Sequence, residues 1–281
     1  MYQKSITRFQ IPATHRLAAS HPALGEFVDG YTDEPKKINL PALIILLIGL
    51  IFFFPAIMGL PDMGNLLVMG FVLVIIGAIS WMKHAEKARL RILIYKGGFV
   101  AQELSNSGAV ERSTEYPFDK IEGMVHYGYE VYNSTGITRT YRYTEAKLMV
   151  YLSSDHEVEL LNYRYRNKDE EEWARDTFGE FASRALLNAW YPISYARVDE
   201  QMKAQGYAVF FDGNRIKVEV GTDFIRVGEQ TFSCPITASK NERTIYLYSR
   251  ERKGSAKIDY GRMYNGAAFV NALNRLTYTD N

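Results

Sequence analysis

Two long apolar runs constrain the fold of this chain more than any other feature of its sequence. Leu40 to Leu60 and Leu66 to Met82 span 21 and 17 residues and contain no ionisable side chain. At a helical rise of about 1.5 Å per residue, the first run matches the hydrocarbon core of a bilayer, and the second is near the lower limit for a span, so Met63 to Asn65 are candidates to extend it. The connecting segment Pro61 to Asn65 is rich in turn-forming residues. The pattern predicts an antiparallel hairpin of two membrane-spanning helices over residues 39–82.

The charges beside the two runs predict how such a hairpin is oriented. The connecting segment has no Lys or Arg, whereas Lys36 and Lys37 precede the first run. A basic cluster follows the second run and consists of Lys83, Lys87, Arg89 and Arg91. Because positive loops face the cytoplasm, we expect a multi-pass protein of the inner (cytoplasmic) membrane. Both termini, including the N-terminal segment 1–38, and the bulk of the chain would then be cytoplasmic.

Charge and cysteine content exclude several classes of protein. The chain carries 33 Lys and Arg against 32 Asp and Glu, a net charge of +1. A nucleic-acid binder would carry a marked cationic excess, so no nucleic-acid partner is expected. The single cysteine excludes a disulfide scaffold and any zinc or iron–sulfur site built from cysteines.

Beyond the apolar runs, residues 83–192 read as hairpin strands followed by a helix. Asn167 is the predicted cap of this helix, with Glu170 as its capping-box partner, and Pro192 is its predicted end. The predicted strands are Arg91–Tyr95, Phe99–Leu104, Arg112–Phe118, Glu122–Tyr132, Thr138–Thr144, Lys147–Leu152 and Glu157–Tyr163.

A linker helix is predicted at 193–205, and residues 206–281 then repeat the pattern of strands and a closing helix. Turns at Gly97 and Gly213 are each followed, 19 residues later, by an aromatic residue, Tyr116 and Phe232. We therefore predict two tandem modules. The predicted elements of the second are strands Tyr207–Phe211, Arg215–Val220, Asp223–Val227, Gln230–Cys234, Thr244–Ser249 and Ala256–Tyr260, and the helix Ala267–Leu276.

Three segments carry a resemblance to a known group of proteins. They read ILIYKGGFV at 92–100, YPFDKI at 116–121 and YAVFFDGNRI at 207–216. Together with the apolar hairpin, they resemble bacterial membrane-anchored PH-like proteins, the YcxB-like and related uncharacterised families. The resemblance implies a two-helix transmembrane hairpin plus an α+β part, made of tandem PH-like β-sandwich or barrel modules that are each closed by a helix. Tyr116 and Phe232 depart from the pattern, since such strands often carry Trp there.

The sequence carries no motif for catalysis or cofactor binding. Phosphate-binding loops, zinc-protease helices, nucleophile elbows and C-x-x-C pairs do not occur. We therefore expect a protein that is not an enzyme and has no catalytic residues, no metal and no cofactor. The alternative is an enzyme of an unfamiliar type.

Alternating tyrosine and arginine residues are the best candidates for contact with a protein partner, since both residue types are favoured at interfaces. Rings on solvent-facing strands also simply cover a sheet, which is the alternative interpretation. The candidates are Tyr141, Arg142, Tyr143, Tyr163, Arg164, Tyr165 and Arg166.

Two functional hypotheses follow. The first is a non-enzymatic, membrane-anchored cytoplasmic interaction or regulatory module with a protein partner; an immunity protein is one version of it. The second is a peripheral module that senses anionic lipid, in which the basic cluster contacts the membrane surface and membrane lipid is the partner. Each basic residue near a membrane contributes about 1 kcal/mol to such binding.

Overall fold

The structure, a computed structural model, describes residues 9–11, 19–34, 40–57, 64–85, 89–135, 138–153, 156–165, 177–234, 236–241, 244–249 and 255–277. The helices are α1 (Leu40–Ile57), α2 (Gly64–Ala85), α3 (Phe178–Gln205) and α4 (Gly266–Thr277). The first seven strands are β1 (Phe27–Thr32), β2 (Arg89–Tyr95), β3 (Gly98–Leu104), β4 (Val110–Pro117), β5 (Ile121–Thr135), β6 (Thr138–Leu152) and β7 (Glu157–Tyr165). The other seven are β8 (Tyr207–Phe211), β9 (Lys217–Gly221), β10 (Phe224–Val227), β11 (Gln230–Ser233), β12 (Ile236–Lys240), β13 (Thr244–Ser249) and β14 (Ser255–Asp259).

The strands form four small sheets, and one order of elements occurs twice along the chain. A four-stranded sheet, β1-β2-β3-β4, precedes a three-stranded sheet, β5-β6-β7, and helix α3. A second four-stranded sheet, β11-β10-β9-β8, then precedes a second three-stranded sheet, β12-β13-β14, and helix α4. Tyr116 lies in β4 and Phe232 in β11, the last strands of the two four-stranded sheets, and both rings are buried.

The chain divides into two compact units. The first consists of Met1–Tyr31, Ile92–Val100 and Glu115–Asn281, and the second of Thr32–Arg91 and Ala101–Thr114. Within the first unit, alternate residues of β8 and β9, such as Phe210 and Val218, face a core beneath α4. Helix α4 contributes a stripe at helical spacing to the same core, formed by Ala268, Phe269, Ala272, Leu273 and Leu276.

Helix α3 is continuous through Pro192, so the prediction of two helices interrupted there was wrong. The helix has 28 residues. A proline in a helix interior costs about 3 kcal/mol. Here Trp190, Ser194 and Val198 are buried on both sides of the proline, so packing against the sheets offsets that cost. Thr177 caps the helix by accepting a hydrogen bond from the Glu180 backbone N–H at 3.2 Å, whereas the predicted cap Asn167 lies outside the described residues.

The strand predictions differ from the structure mainly in continuity and in number. Thr138–Leu152 is one 15-residue strand rather than two, because Glu145 and Ala146 pair with Tyr129 and Gly128 without a break. Strand β12 begins directly after Pro235 and was missed. Strand β1 shows that the N-terminal segment takes part in a sheet, which sequence reasoning did not predict.

In the second unit, α1 and α2 pack closely at two glycines. A Cβ atom at Gly49 would lie 2.7 Å from the Val74 backbone nitrogen, and one at Gly77 would lie 2.9 Å from the Leu46 backbone. Across the described ranges, however, no helix combines the length and the apolar character that crossing a membrane requires.

The predicted membrane-spanning hairpin over residues 39–82, and the multi-pass inner-membrane location that followed from it, are therefore wrong. The 18 residues of α1 extend about 27 Å at 1.5 Å per residue, short of a core of about 30 Å. Helix α2 begins with Gly64 and Asn65 and ends beyond Lys83 and His84, so its uncharged stretch is shorter than the helix. The connecting segment between the helices falls largely outside the described residues.

The predicted fold class is wrong in a second respect, because the β-rich modules are not barrels. Among the described residues strands are more extensive than helices, and they form four antiparallel sheets of three or four strands. A barrel closes only when its last strand pairs with its first. Here each sheet ends at two edge strands instead, so none of the four is closed.

Candidate functional site

A cleft of about 590 Å³ lies in the first unit between two groups of sheets. The first group is the β5-β6-β7 sheet with the strand residues of this unit that precede it, and the second group is formed by β8–β14. One wall is the segment Met124–Gly128 of β5, and a second is the face of α3 that carries Leu187, Tyr191 and Tyr195. The third wall is formed by the 3-10 turn Tyr260–Arg262 and the start of α4. The lining is therefore largely aromatic and apolar, with one strand along one side.

Strand β5 is an edge strand of its sheet. Among the residues that the structure describes, β6 is the only strand that pairs with it. An edge strand presents a row of backbone N–H and C=O groups that another extended chain can pair with. Because His126 is exposed and Tyr127 is half-buried where they line the cleft, a ligand can reach this part of the edge, whereas Met124 and Val125 are buried.

The aromatic wall of the cleft follows from helical spacing. Tyr191 and Tyr195 are four residues apart, which places their side chains on one face of α3. Their rings stack with centroids 6.2 Å apart. Burial raises the pKa of the Tyr191 hydroxyl, so this ring is neutral at physiological pH.

Two polar contacts fix the walls of the cleft relative to each other. The Trp190 indole N–H donates to Asn265 Oδ1 at 2.9 Å, and Asn265 Nδ2 donates to the Glu122 carbonyl at 2.9 Å. Asn265 precedes α4 with a φ of 58°, a left-handed conformation that asparagine tolerates better than most residues. One amide side chain therefore connects β5, α3 and α4 at one end of the cleft.

Arg197 makes a second connection between α3 and the first group of sheets. Its guanidinium donates to the Ile121 carbonyl and, at 2.7 Å, to the Phe118 carbonyl. It also lies over the Trp190 ring, with Cζ 5.1 Å from the ring centroid. The cleft is thus held by fixed contacts on both sides of the α3 tyrosines.

A second, polar pocket of about 370 Å³ adjoins the cleft. The two share Tyr127 and Gly261 as lining residues. Arg262 stands at this boundary, with its Cζ 5.3 Å from the Tyr127 ring centroid. The remaining lining of the polar pocket is Asn214, Thr244, Lys257 and Asp259.

A β-bulge separates the tyrosines and arginines that were predicted to contact a partner. Tyr143 pairs with Val131 and Tyr141 with Tyr132, so Arg142 is an extra residue in β6. Since directly paired residues share a face and neighbours along a strand alternate, Tyr141 and Tyr143 lie on opposite faces of the sheet. The alternation of tyrosine and arginine predicts Tyr141 and Tyr143 on one side of an uninterrupted strand, and the bulge shows this to be wrong.

Tyr143 and Arg164 lie on the outer face, the face of the β5-β6-β7 sheet that points away from α3. Arg164 Cζ is 4.8 Å from the Tyr143 ring centroid, and Arg142 Cζ is 5.7 Å from it. Arg164 Nε also lies 3.3 Å from Glu145 Oε2. The Tyr129 hydroxyl, which donates to Glu145 at 2.7 Å, lowers the pKa of that carboxyl, and Arg164 lowers it further.

The other predicted contact residues lie on the inner face, which α3 covers. The Tyr163 hydroxyl bonds His126 Nε2 at 2.7 Å and donates to Glu180 of α3 at 3.1 Å. Tyr141 bonds the Thr144 hydroxyl at 2.9 Å and lies 3.4 Å from the Tyr165 carbonyl oxygen. Arg166 lies outside the described residues. The predicted set is thus divided between two surfaces and does not form one site.

The basic cluster is also only partly available for contact. Arg89 is 7% exposed, and its guanidinium donates to the Asp33 carbonyl at 2.8 Å. Arg91 donates to the Thr32 hydroxyl at 3.2 Å and to Gln102 at 3.3 Å; burial, and then the charge of Arg89, lower its pKa. Lys83 belongs to α2, and Lys87 lies outside the described residues.

Sequence reasoning missed the residues that line the cleft, although one signal for them was present. Tyr191 and Tyr195 have helical spacing, but this was hidden by treating Pro192 as a helix end. Arg262 and Tyr127 are 135 positions apart, and nothing in a single sequence brings them together. Comparison with protein families, with curated proteins and with solved structures finds no match to this chain.

Proposed function

We propose that this chain is a non-enzymatic protein-interaction module whose cleft binds an extended segment of a partner protein as an additional strand beside β5. One observation carries the proposal: among the described residues β6 is the only strand that pairs with β5, and the exposed His126 and half-buried Tyr127 of β5 form part of a wall of the cleft. Strand addition to an exposed edge is a recurrent mode of peptide recognition, in which backbone hydrogen bonds supply affinity and adjoining pockets supply specificity.

The opposite walls supply the contacts that such a segment would need. Tyr191 and Tyr195 present large, stacked rings to the cleft, and aromatic residues are enriched among the side chains that dominate interface energies. Leu187 and Val270 add apolar surface beside them. Alternate side chains of an added strand would point toward this wall, because successive residues of a strand face opposite ways.

The outer face of the same sheet is a weaker candidate for the partner surface. Its polar groups already bond one another, since Glu145 accepts from Tyr129 and pairs with Arg164. Lys147 likewise pairs with Glu159 at 2.5 Å. A partner there would have to replace bonds that exist, whereas a strand beside β5 would form bonds along an edge.

Recognition of anionic lipid by the basic cluster stays a prediction. Within the described residues, Arg89 and Arg91 direct their guanidinium groups to neighbouring backbone and side-chain oxygens. A headgroup would have to compete with these bonds, so this alternative is less favoured than the cleft.

Selection of peptides from a random phage-displayed library on the full chain tests the proposal. We expect selected peptides to slow hydrogen exchange of the β5 amides at His126 and Tyr127. Tyr191→Ala should weaken their binding by about tenfold or more, as expected for a central aromatic contact. Tyr143→Ala, an equal truncation on the outer face, is the matched control and should leave the affinity unchanged.

Two results would contradict the proposal. Loss of binding in Tyr143→Ala but not in Tyr191→Ala would place the partner on the outer face. Protection of the β5 amides without peptide, together with a dimer in sedimentation, would show that a second copy of the chain already covers the edge.

A further inference from the structure

The polar pocket beside the cleft points to the chemistry of the bound segment. Its lining contains two cationic side chains, Lys257 and Arg262, and both are exposed. Among the described residues, neither has an ion-pair partner within 4.0 Å. These charges are therefore free to meet an anion from outside.

The one carboxylate in this lining does not neutralise them by direct contact. Asp259 Oδ1 is buried and has no hydrogen-bond partner in the described part of the chain. Its other oxygen lies against the turn at Gly213, where a Cβ atom would be 2.8 Å away. The carboxylate thus packs against protein, while the two cations remain at the open side.

Register places one residue of an added strand beside these cations. Tyr127 pairs with Lys147, which pairs with Asn162, so the Tyr127 side chain lies on the outer face. A residue directly opposite Tyr127 on an added strand would have its Cβ about 5 Å from that of Tyr127. Its side chain would therefore reach the guanidinium of Arg262, which lies over the Tyr127 ring.

The neighbours of that residue would point the other way. His126 pairs with Leu148, which is fully buried, and its ring contacts Tyr163 on the inner face. On the added strand, the two residues next to the one opposite Tyr127 would therefore face the α3 wall that carries Tyr191 and Tyr195.

We infer that the bound segment carries an acidic side chain, Asp or Glu, opposite Tyr127, flanked on both sides by apolar residues. The carboxylate is recognised by Arg262, with Lys257 adding positive charge, and the apolar neighbours contact the aromatic wall. This inference rests on the proposed function and specifies its ligand. Arginine suits the role because its planar guanidinium can donate two parallel hydrogen bonds to one carboxylate.

The test compares matched peptides on the full chain. Peptides selected by display should share an acidic residue between two apolar ones. Replacing that residue by its amide, Asp by Asn or Glu by Gln, should weaken binding about tenfold, because the charge-assisted bond is lost. The loss should shrink as salt concentration rises.

Charge exchange gives the sharper result. Arg262→Glu should weaken binding of the acidic peptide about tenfold. The same change should strengthen binding of a peptide that has Lys in place of the acidic residue. Arg164→Glu is the matched control, since Arg164 also lies over a tyrosine ring but on the outer face. It should change neither affinity.

The inference is overturned if the acid and amide peptides bind equally, or if Arg262→Glu does not exchange the preference. In that event Tyr191→Ala would still weaken binding if the cleft holds the peptide. The failure of this inference is therefore distinguishable from failure of the proposed function.

Discussion

Replacement of Trp190 by alanine should lower the free energy of unfolding by about 3–5 kcal/mol, the range for removing a large buried aromatic side chain. Trp190 is 0% exposed and packs against Phe118, with ring centroids 5.9 Å apart. The change would leave a cavity between α3 and the first group of sheets. It would also leave the Asn265 amide oxygen without its donor at one end of the cleft.

Chemical denaturation of the full chain measures this effect, and two further variants separate its parts. Trp190→Phe keeps much of the packing but removes the N–H donor, so it should cost about 1–3 kcal/mol. Tyr248→Ala removes a ring that is 44% exposed and should cost well under half as much as Trp190→Ala. A loss below about 1 kcal/mol in Trp190→Ala would contradict this account of the helix.

Arg197→Ala should lower the free energy of unfolding by about 3 kcal/mol, because two carbonyl groups lose a charged donor and Trp190 loses a cation–π contact. The guanidinium bonds the carbonyls of Phe118 and Ile121, which bracket the start of β5. Arg197→Lys keeps the charge but cannot donate to both carbonyls in the same planar geometry, so it should recover only part of the loss.

Thermal or chemical unfolding checks this prediction, with Arg184→Ala as the matched control. Arg184 lies on the same helix but makes an exposed pair with Glu180 at 2.8 Å, so its loss should cost about 0.3–0.5 kcal/mol. Because Arg197 and Trp190 are in contact, the effects of their removal should not add. Equal losses in the two arginine variants would show that Arg197 does not connect the helix to the sheets.

Several elements could be predicted from the sequence because local signals agreed with tertiary packing. Strands β8 and β13 were predicted with the bounds that the structure has, since alternating apolar residues there match a sheet with one buried face. Helix α4 was predicted within one residue at each end, from apolar residues at helical spacing. The sequence spacing also marked Tyr116 and Phe232 as equivalent positions of the two halves. Both rings are buried, and they lie in the last strands of the two four-stranded sheets.

The features that could not be predicted depend on contacts between distant residues. The bulge at Arg142 reverses the face of every residue before it in β6, and no local pattern marks it. Pro192 reads as a helix end unless the buried neighbours on both of its sides are known. The apolar runs suggested a membrane hairpin because uncharged length was the strongest local signal, and the bounds of α1 and α2 could not be read from composition.

The candidate site illustrates the same limit. The alternation of tyrosine and arginine in β6 and β7 drew attention to side chains that the fold divides between two faces. The cleft instead joins β5 to the turn at Tyr260–Arg262, which is more than 130 positions away along the chain. Such a site becomes visible only when the edge of a sheet and a distant turn are placed together.

Helix α3 also has a consequence for how the first unit unfolds. Its N-terminal part packs on β7, where Gly179 lies against the Tyr163 ring, and its C-terminal part contributes Val198 to the core beneath α4. Melting the whole helix would therefore expose apolar surface in both groups of sheets. The two groups should therefore unfold in one cooperative transition rather than as separate folding units. The central amides of both groups should then show similar protection from hydrogen exchange.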